Sequence, residues 1–299
     1  MKIAFVGKGG AGKSTVSWLM SCFLADRGIR TLSIDADYNM DLTHNLGYTK
    51  ESIPHRINQA EPDFYRYLGL SEKEYYVDLP AKENLAHFSL EPMDWFTRKY
   101  AHEVAPNLNL MVAGMTPEEM LYGHRCGHAY VSSLKYYLPL LEKQKEDVVI
   151  IDSTAGTDLV SYGMYLGADA VIVVVEETPH SIGVHDQIKT ICDEFKIPVF
   201  IVVNKYRGLL PAKEFLEKNV DRIVAQFPFD ASILGYDFSQ LSPEILAQAE
   251  KLTTSLRNMS FDTTQQWGRH KEWKRRYDEQ MSESKKKEFT FAAGKAGHG

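Results

Sequence analysis

Gly7-Lys8-Gly9-Gly10-Ala11-Gly12-Lys13-Ser14 decides the fold of this chain. The octapeptide fits G-x-x-x-x-G-K-[ST]. It follows the apolar run Lys2–Val6 and opens Lys13–Arg27, where Val16, Leu19, Met20, Phe23 and Leu24 recur at helical spacing. A strand, a glycine loop and a helix in that order are what a phosphate-binding loop requires. Glycines let backbone N–H groups curl around phosphate oxygens, and the helix N-terminus adds the positive end of its dipole. Lys13 would reach the β- and γ-phosphates, and the Ser14 hydroxyl would ligate Mg²⁺. The competing reading is a glycine-rich turn that merely joins a strand to a helix.

Outward from the loop, Gly28 ends the first helix and Arg30–Ile34 reads as a second buried strand. Further strands are expected at Leu108–Val112, Val148–Ile151, Ala170–Val175 and Val199–Val203. The last three are nearly continuous β-branched runs, as in parallel strands covered on both faces. Helical stretches are expected at Val131–Lys143, Leu159–Leu166, Ser181–Phe195 and Pro243–Asn258. The alternation predicts an α/β fold: a doubly wound, mainly parallel sheet with helices on both faces. We place the core at residues 1–260. Within it, 48–106 carries Pro54, Pro62, Pro80, Pro92 and Pro106 and no clear period, and reads as an irregular insertion packed on one edge. Residues 261–299 form a basic, aromatic tail with Trp267, Trp273 and Tyr277.

With 44% hydrophobic and 25% charged residues in 299, the chain has an ordinary globular composition. This excludes a disordered, collagen-like or disulfide-scaffold protein. No apolar run reaches the ~18–20 residues of a membrane helix, and MKIAFVGKGG has no basic n-region or long h-region. A cytoplasmic location without a membrane span is therefore expected. Cys22, Cys126 and Cys192 are too few and too odd for a secreted framework, and Cys22 and Cys192 fall on helices as core residues. A net charge of −6 argues against DNA binding by the whole surface, and no specific nucleic acid is expected. The charge is uneven: residues 265–299 hold nine Lys/Arg against five Asp/Glu. Such a split marks an interaction segment or a solvated helix.

Lys8 adds information. Lys8-Gly9-Gly10-Ala11-Gly12-Lys13-Ser14-Thr15 resembles the deviant Walker A motif K-G-G-x-G-K-[ST]. That motif belongs to the family of the nitrogenase iron protein, MinD, ParA, ArsA and the nickel-inserting ATPases for carbon monoxide dehydrogenase. The resemblance implies Mg²⁺-dependent ATP hydrolysis, with Gly9 to Thr15 around the phosphates. It also implies an ATP-favoured homodimer in which Lys8 crosses to the partner's phosphates, although an exposed loop lysine is the plain alternative. Asp35-Ala36-Asp37 ends the second strand, where open α/β sheets bind ligands. It resembles the family's D-x-D, which would make Asp37 the residue that positions or activates the attacking water and put Asp35 near the Mg²⁺. An aspartate there could instead cap the helix that begins near Asp41.

Asp152-Ser153-Thr154-Ala155-Gly156 resembles the D-x-x-A-G of the carbon monoxide dehydrogenase accessory ATPases. By that resemblance Asp152 holds a Mg²⁺-bound water and Gly156 senses the γ-phosphate through its amide. Asn204 resembles the family's adenine-reading asparagine, whose side chain can pair with N6–H and N7. Pro228-Phe229-Asp230 sits where the family closes over the base.

Cys126, flanked by His124 and His128, is the stretch that separates subfamilies. The nickel ATPases carry C-x-C at this place; this chain has one cysteine there and none in Asp152–Leu166, so a shared [4Fe–4S] cluster lacks its four thiolates. Two copies of His-x-Cys-x-His across a two-fold could hold Zn²⁺ or Ni²⁺. A free cysteine beside capping histidines is the alternative. The expected function is a dimeric ATPase switch for metallocentre assembly, with a carbon monoxide dehydrogenase-like client. The competing class is a ParA/MinD-type positioning ATPase that binds DNA or membrane through its tail.

Overall fold

The computed structural model describes residues 1–37, 39–70, 79, 82, 84–114, 132–156, 163–209, 212–262 and 265–295. Among these, eight strands form one sheet: β1 (Lys2–Val6), β2 (Thr31–Asp35), β4 (Ala101–Ala105), β5 (Leu108–Val112), β7 (Val148–Asp152), β8 (Ala170–Val175), β9 (Val199–Tyr206) and β10 (Ile223–Pro228). Their order is β10-β9-β8-β1-β7-β2-β5-β4. All neighbours run parallel except the edge strand β4, which is antiparallel to β5. A second, two-stranded sheet pairs β3 (Phe88–Ser89) with β6 (Leu141–Glu142). The central strands β1, β2, β7 and β8 are buried along their whole length. Their β-branched and aliphatic residues therefore serve two cores at once.

One core lies under α1 (Lys13–Asp26) and the helix Pro243–Arg257. Trp18, Leu19 and Phe23 meet Ile3, Phe5, Ile150 and Leu252 there. The opposite core is built by Ala4, Ile34, Ile151 and Val173, with Ile188 and Cys192 from the helix Pro179–Glu194. Residues 48–106, read from the sequence as an insertion, add aromatic side chains to that face. Their short helices, Glu61–Leu68 and Trp95–Tyr100, deliver Phe64 and Phe96 onto Phe88 and Tyr137, with ring centroids 4.7–6.0 Å apart. Elements this short leave no period to read, and aromatic packing takes over the work of amphipathic spacing.

The tail is helical over Gln266–Lys295 and is joined to the core at its start. Gln266 and His270 are buried, Lys2 Nζ donates to Gln266 Oε1 at 2.9 Å, and Arg269 donates to the Ala168 carbonyl at 2.9 Å. Burial pushes the Lys2 ammonium down to about 7, against the pull of Asp169. No helix among the described residues is long and apolar enough to cross a membrane. Of the expected helices, Val131–Lys143 appears as Ser132–Leu140 and ends one residue after Pro139. Leu159–Leu166 falls partly outside the described residues, and its end is a 3-10 turn, Met164–Gly167.

Candidate active site

Gly7 leaves β1 with φ 144°, and a Cβ there would lie 2.4 Å from the Val174 carbonyl oxygen, so only glycine lets the chain turn beside β8. Gly12, at φ 92°, is the N-cap of α1 and offers no side chain to the helix. The first-turn N–H groups of this fourteen-residue helix are thereby left for an anion. Lys13 is buried in the loop while Lys8 is half-exposed. Thr15 turns its hydroxyl toward Tyr236, 3.2 Å away, and the Tyr236 ring stands edge-on to Trp18.

Beside the loop, β2 and β7 end in register, Asp35 opposite Asp152. Asp152 Oδ1 accepts from the Ser17 hydroxyl at 2.9 Å, and its Oδ2 is buried with no hydrogen-bond partner. Burial pushes this carboxyl up to about 7 even though the Ser14 and Ser17 hydroxyls and the Lys13 charge pull it down. An orphaned buried carboxylate oxygen next to a serine hydroxyl is the donor set a magnesium ion takes, one or two oxygens with the remainder from water and phosphate. Asp152 and Ser14 therefore fit the ion.

Asp35, expected near the Mg²⁺, has partners that the sequence does not reveal. Its Oδ2 accepts from both the N–H and the hydroxyl of Thr43, at 2.8 and 2.6 Å, and its Oδ1 accepts from the Asp37 N–H at 3.2 Å. It holds the helix Asp41–Asn45 against the strand end, the capping work the sequence gave as the alternative for Asp37. Burial and the facing Asp152 push the Asp35 carboxyl well above its ordinary range. Asp37 lies next to it, nearly buried, with Oδ1 accepting from the Asn39 N–H at 2.9 Å.

The Gly156 amide, expected to sense a γ-phosphate, donates to the Gly7 carbonyl at 2.9 Å, closing an antiparallel bridge between the loop after β7 and the phosphate loop. A γ-phosphate claiming that amide would have to break the bridge. On the other side, Asn204 donates from Nδ2 to the Ala11 carbonyl at 2.8 Å, so one amide hydrogen braces the loop. The other hydrogen and Oδ1 remain for a base edge. Pro228 ends β10, which was not expected from the sequence, and is followed by the exposed Phe229 with the Arg207 guanidinium 5.1 Å from its ring centre. Cys126, His124 and His128 lie outside the described residues. Among the described residues no group of three His, Cys, Asp or Glu could hold a metal ion. Cys192 is buried as expected, whereas Cys22 is half-buried, and burial pushes its thiol up to about 11.

Residues 2–197 match the family described as AAA domain. The chain belongs to that family of P-loop ATPases. It is 29% identical over 247 residues to the carbon monoxide dehydrogenase accessory protein CooC of Rhodospirillum rubrum, covering 81% of this chain and 89% of CooC. It is also 29% identical over 241 residues to an uncharacterized ATP-binding protein of Methanocaldococcus jannaschii, covering 78% and 90% of the two chains. The fold matches the septum site-determining protein MinD of Pyrococcus horikoshii complexed with Mg-ADP, with a TM-score of 0.59 at 16% identity over 86% of this chain and 96% of that one. It equally matches a putative plasmid partition protein of Borrelia burgdorferi bound to AMPPNP, with a TM-score of 0.59 at 19% identity over 86% and 98%. The protein is thus a P-loop ATPase whose fold, the expected mainly parallel P-loop sheet, is shared with MinD and plasmid partition proteins.

Sequence reasoning passed over three groups that shape this site: Ser17 on Asp152, Thr43 on Asp35, and Lys205. Ser17 and Thr43 look like ordinary helix residues in the sequence. Lys205 adjoins Asn204, and that adjacency is its one signal in the sequence.

Proposed function

We propose that this ATPase is a nucleotide-switched homodimer that assists assembly of a metal centre in a client enzyme of the carbon monoxide dehydrogenase kind. The observation that carries the reading is similarity to CooC over 81% of the chain, joined to the Gly156–Gly7 bridge in the D-x-x-A-G loop. Lys13 and the N–H groups of Gly9 to Thr15 hold the phosphates. Ser14 and Asp152 hold Mg²⁺, which when bound neutralises phosphate charge. Asp37 orients the attacking water, and Asp35 keeps that segment in place. Asn204 reads the adenine edge, with Pro228 closing over the base. Because ATP competes for the Gly156 amide and ADP does not, the loop after β7 takes different positions with the two nucleotides. Lys8 gains most from the phosphates of a second subunit, which makes the dimer ATP-favoured.

Cys126 with His124 and His128 would bring Zn²⁺ or Ni²⁺ to that interface, a part of the reading supported by the sequence alone. The test is sedimentation of the protein with ADP and ATP, coupled to metal analysis of each species. A dimer that forms with ATP and carries metal, lost in Cys126→Ser, supports the proposal. A species without metal under every condition, with Cys126→Ser fully active in cells, ends the metal part. Pelleting with DNA or liposomes in ATP separates the competing class: binding to either would favour a positioning ATPase working through the helix Gln266–Lys295.

A further inference from the structure

A loop that turns its N–H groups inward to an anion turns its carbonyls outward, and outward carbonyls need donors of their own. Two consecutive residues supply them. Asn204 Nδ2 donates to the Ala11 carbonyl at 2.8 Å, and Lys205 Nζ donates to the Gly10 carbonyl at 2.7 Å. Consecutive side chains of a regular strand point to opposite faces. Lys205 adopts φ 55°, a left-handed conformation that a lysine takes only at a cost, and the break in alternation lets both side chains reach the same loop.

The lysine is in turn aimed by its other contact. Glu176 Oε1 accepts from Lys205 Nζ at 2.6 Å, and the Glu176 N–H is fixed on the Ser181 hydroxyl at 3.0 Å, where the helix Pro179–Glu194 begins. The buried Glu177 accepts from the N–H groups of Arg207 and Leu209 at 2.7 and 2.8 Å, which pins the chain on the far side of the lysine. Gly10 lies at φ 80° with open space where a Cβ would stand, and the Gly10–Ala11 peptide is held at its N–H by the Lys8 carbonyl at 3.1 Å and at its carbonyl by Lys205.

We propose that Lys205 is a positioning residue for the phosphate loop, aimed by Glu176, and that it sets nucleotide affinity without touching the reacting phosphoryl group. It acts on the loop backbone, so it acts on ATP and ADP alike. The proposal rests on Gly7–Ser14 being the phosphate site, and Lys13→Ala checks that separately.

The experiment is calorimetric titration of the full chain with ATP and with ADP, alongside steady-state hydrolysis, for Lys205→Ala, Lys205→Arg and Glu176→Gln. A charged hydrogen bond that is half-exposed predicts a loss of about 5–10-fold in affinity for both nucleotides in Lys205→Ala. KM should rise by the same factor, with kcat at saturation within about twofold. Lys205→Arg should restore affinity to within about threefold, because a guanidinium can still span both acceptors. Glu176→Gln should weaken both nucleotides by about twofold. If Lys205→Ala folds poorly, the Arg and Gln variants still report. Arginine that fails to sustain affinity, or a glutamine variant indistinguishable from wild type, overturns the proposal, as does a fall in kcat at constant KM. Lys13→Ala binding as wild type removes the phosphate-loop reading itself, whereas its loss of binding beside an unaffected Lys205→Ala overturns this proposal alone.

Discussion

Replacing Asp152 by Asn should make the protein more stable and inactive at once. Burial carries its carboxyl from 3.8 up to about 7, so the folded state binds a proton more tightly than the unfolded chain. Ionised Asp152 therefore works against folding: the penalty begins above the unfolded value and is complete only above pH 7. At about 1.4 kcal/mol per pH unit the penalty is of the order of a few kcal/mol above pH 7 and smaller at pH 5. Asparagine removes the charge and keeps an oxygen for the Ser17 hydroxyl. It also puts an NH₂ group where Oδ2 has no partner, at a cost of about 1–3 kcal/mol. The net gain at pH 8 is about 1–3 kcal/mol, which for a chain of this size is a few degrees in Tm. The assay is thermal unfolding in EDTA at pH 5 and pH 8, with hydrolysis measured in Mg-ATP. The stabilisation should be larger at pH 8, and hydrolysis should fall by at least about a hundredfold. An Asp152→Asn protein that is destabilised equally at both pH values, or that hydrolyses ATP normally, would refute the reasoning.

Asp37→Asn should bind ATP as wild type and hydrolyse it about a hundredfold more slowly, since binding rests on the loop and the carboxylate acts on water. Calorimetry beside a phosphate-release assay reads both, and a collapse in affinity would contradict the role. Lys8→Ala should leave ATP affinity within about twofold while lowering ATP-driven dimerisation in sedimentation; a nucleotide-indifferent dimer would remove the shared-site reading. Gly7→Ala should cost at least about 2 kcal/mol, because its Cβ meets a strand carbonyl at 2.4 Å and its φ of 144° disfavours an L-residue. Denaturant unfolding measures the loss, and a midpoint like wild type would show that β1 and β8 can part there.

The sheet was legible because its strands are short, buried on both faces and closed by chemistry at their ends. Lys2–Val6, Leu108–Val112 and Ala170–Val175 stand within the bounds the sequence predicts, and β2 and β7 each extend to include the aspartate that closes them. β10 escaped notice because Ile223–Pro228 is a short run at an edge, with Gln226 interrupting the apolar pattern. β4 escaped because Ala101–Ala105 carries His102 and Glu103 on an edge that needs less apolar surface. At the site, the phosphate loop could be read from spacing because the chemistry demands adjacent residues. The partner of Asp35 could not, since Thr43, eight residues away, must fold back onto the strand end to reach it.

The phosphate loop is held from two sides by bonds of different kinds, and this asymmetry suits a switch. On one side, Asn204 and Lys205 grip the Ala11 and Gly10 carbonyls with side chains rooted in β9 and braced by Glu176 and Glu177. Those carbonyls face away from an anion, so a nucleotide has no reason to disturb them. On the other side, the Gly7 carbonyl receives a single N–H from Gly156, at φ 79° with open space among the described residues where a Cβ would stand. That N–H belongs to the loop that starts at Asp152, beside the residues that would hold magnesium, where a γ-phosphate would change the local charge most. Of the two attachments, only the second offers a donor that phosphate and protein both want. Nucleotide state should therefore be read out through Asp152–Gly156 while the β9 side stays fixed, and a fixed anchor is what converts a change of one hydrogen bond into a displacement of the loop.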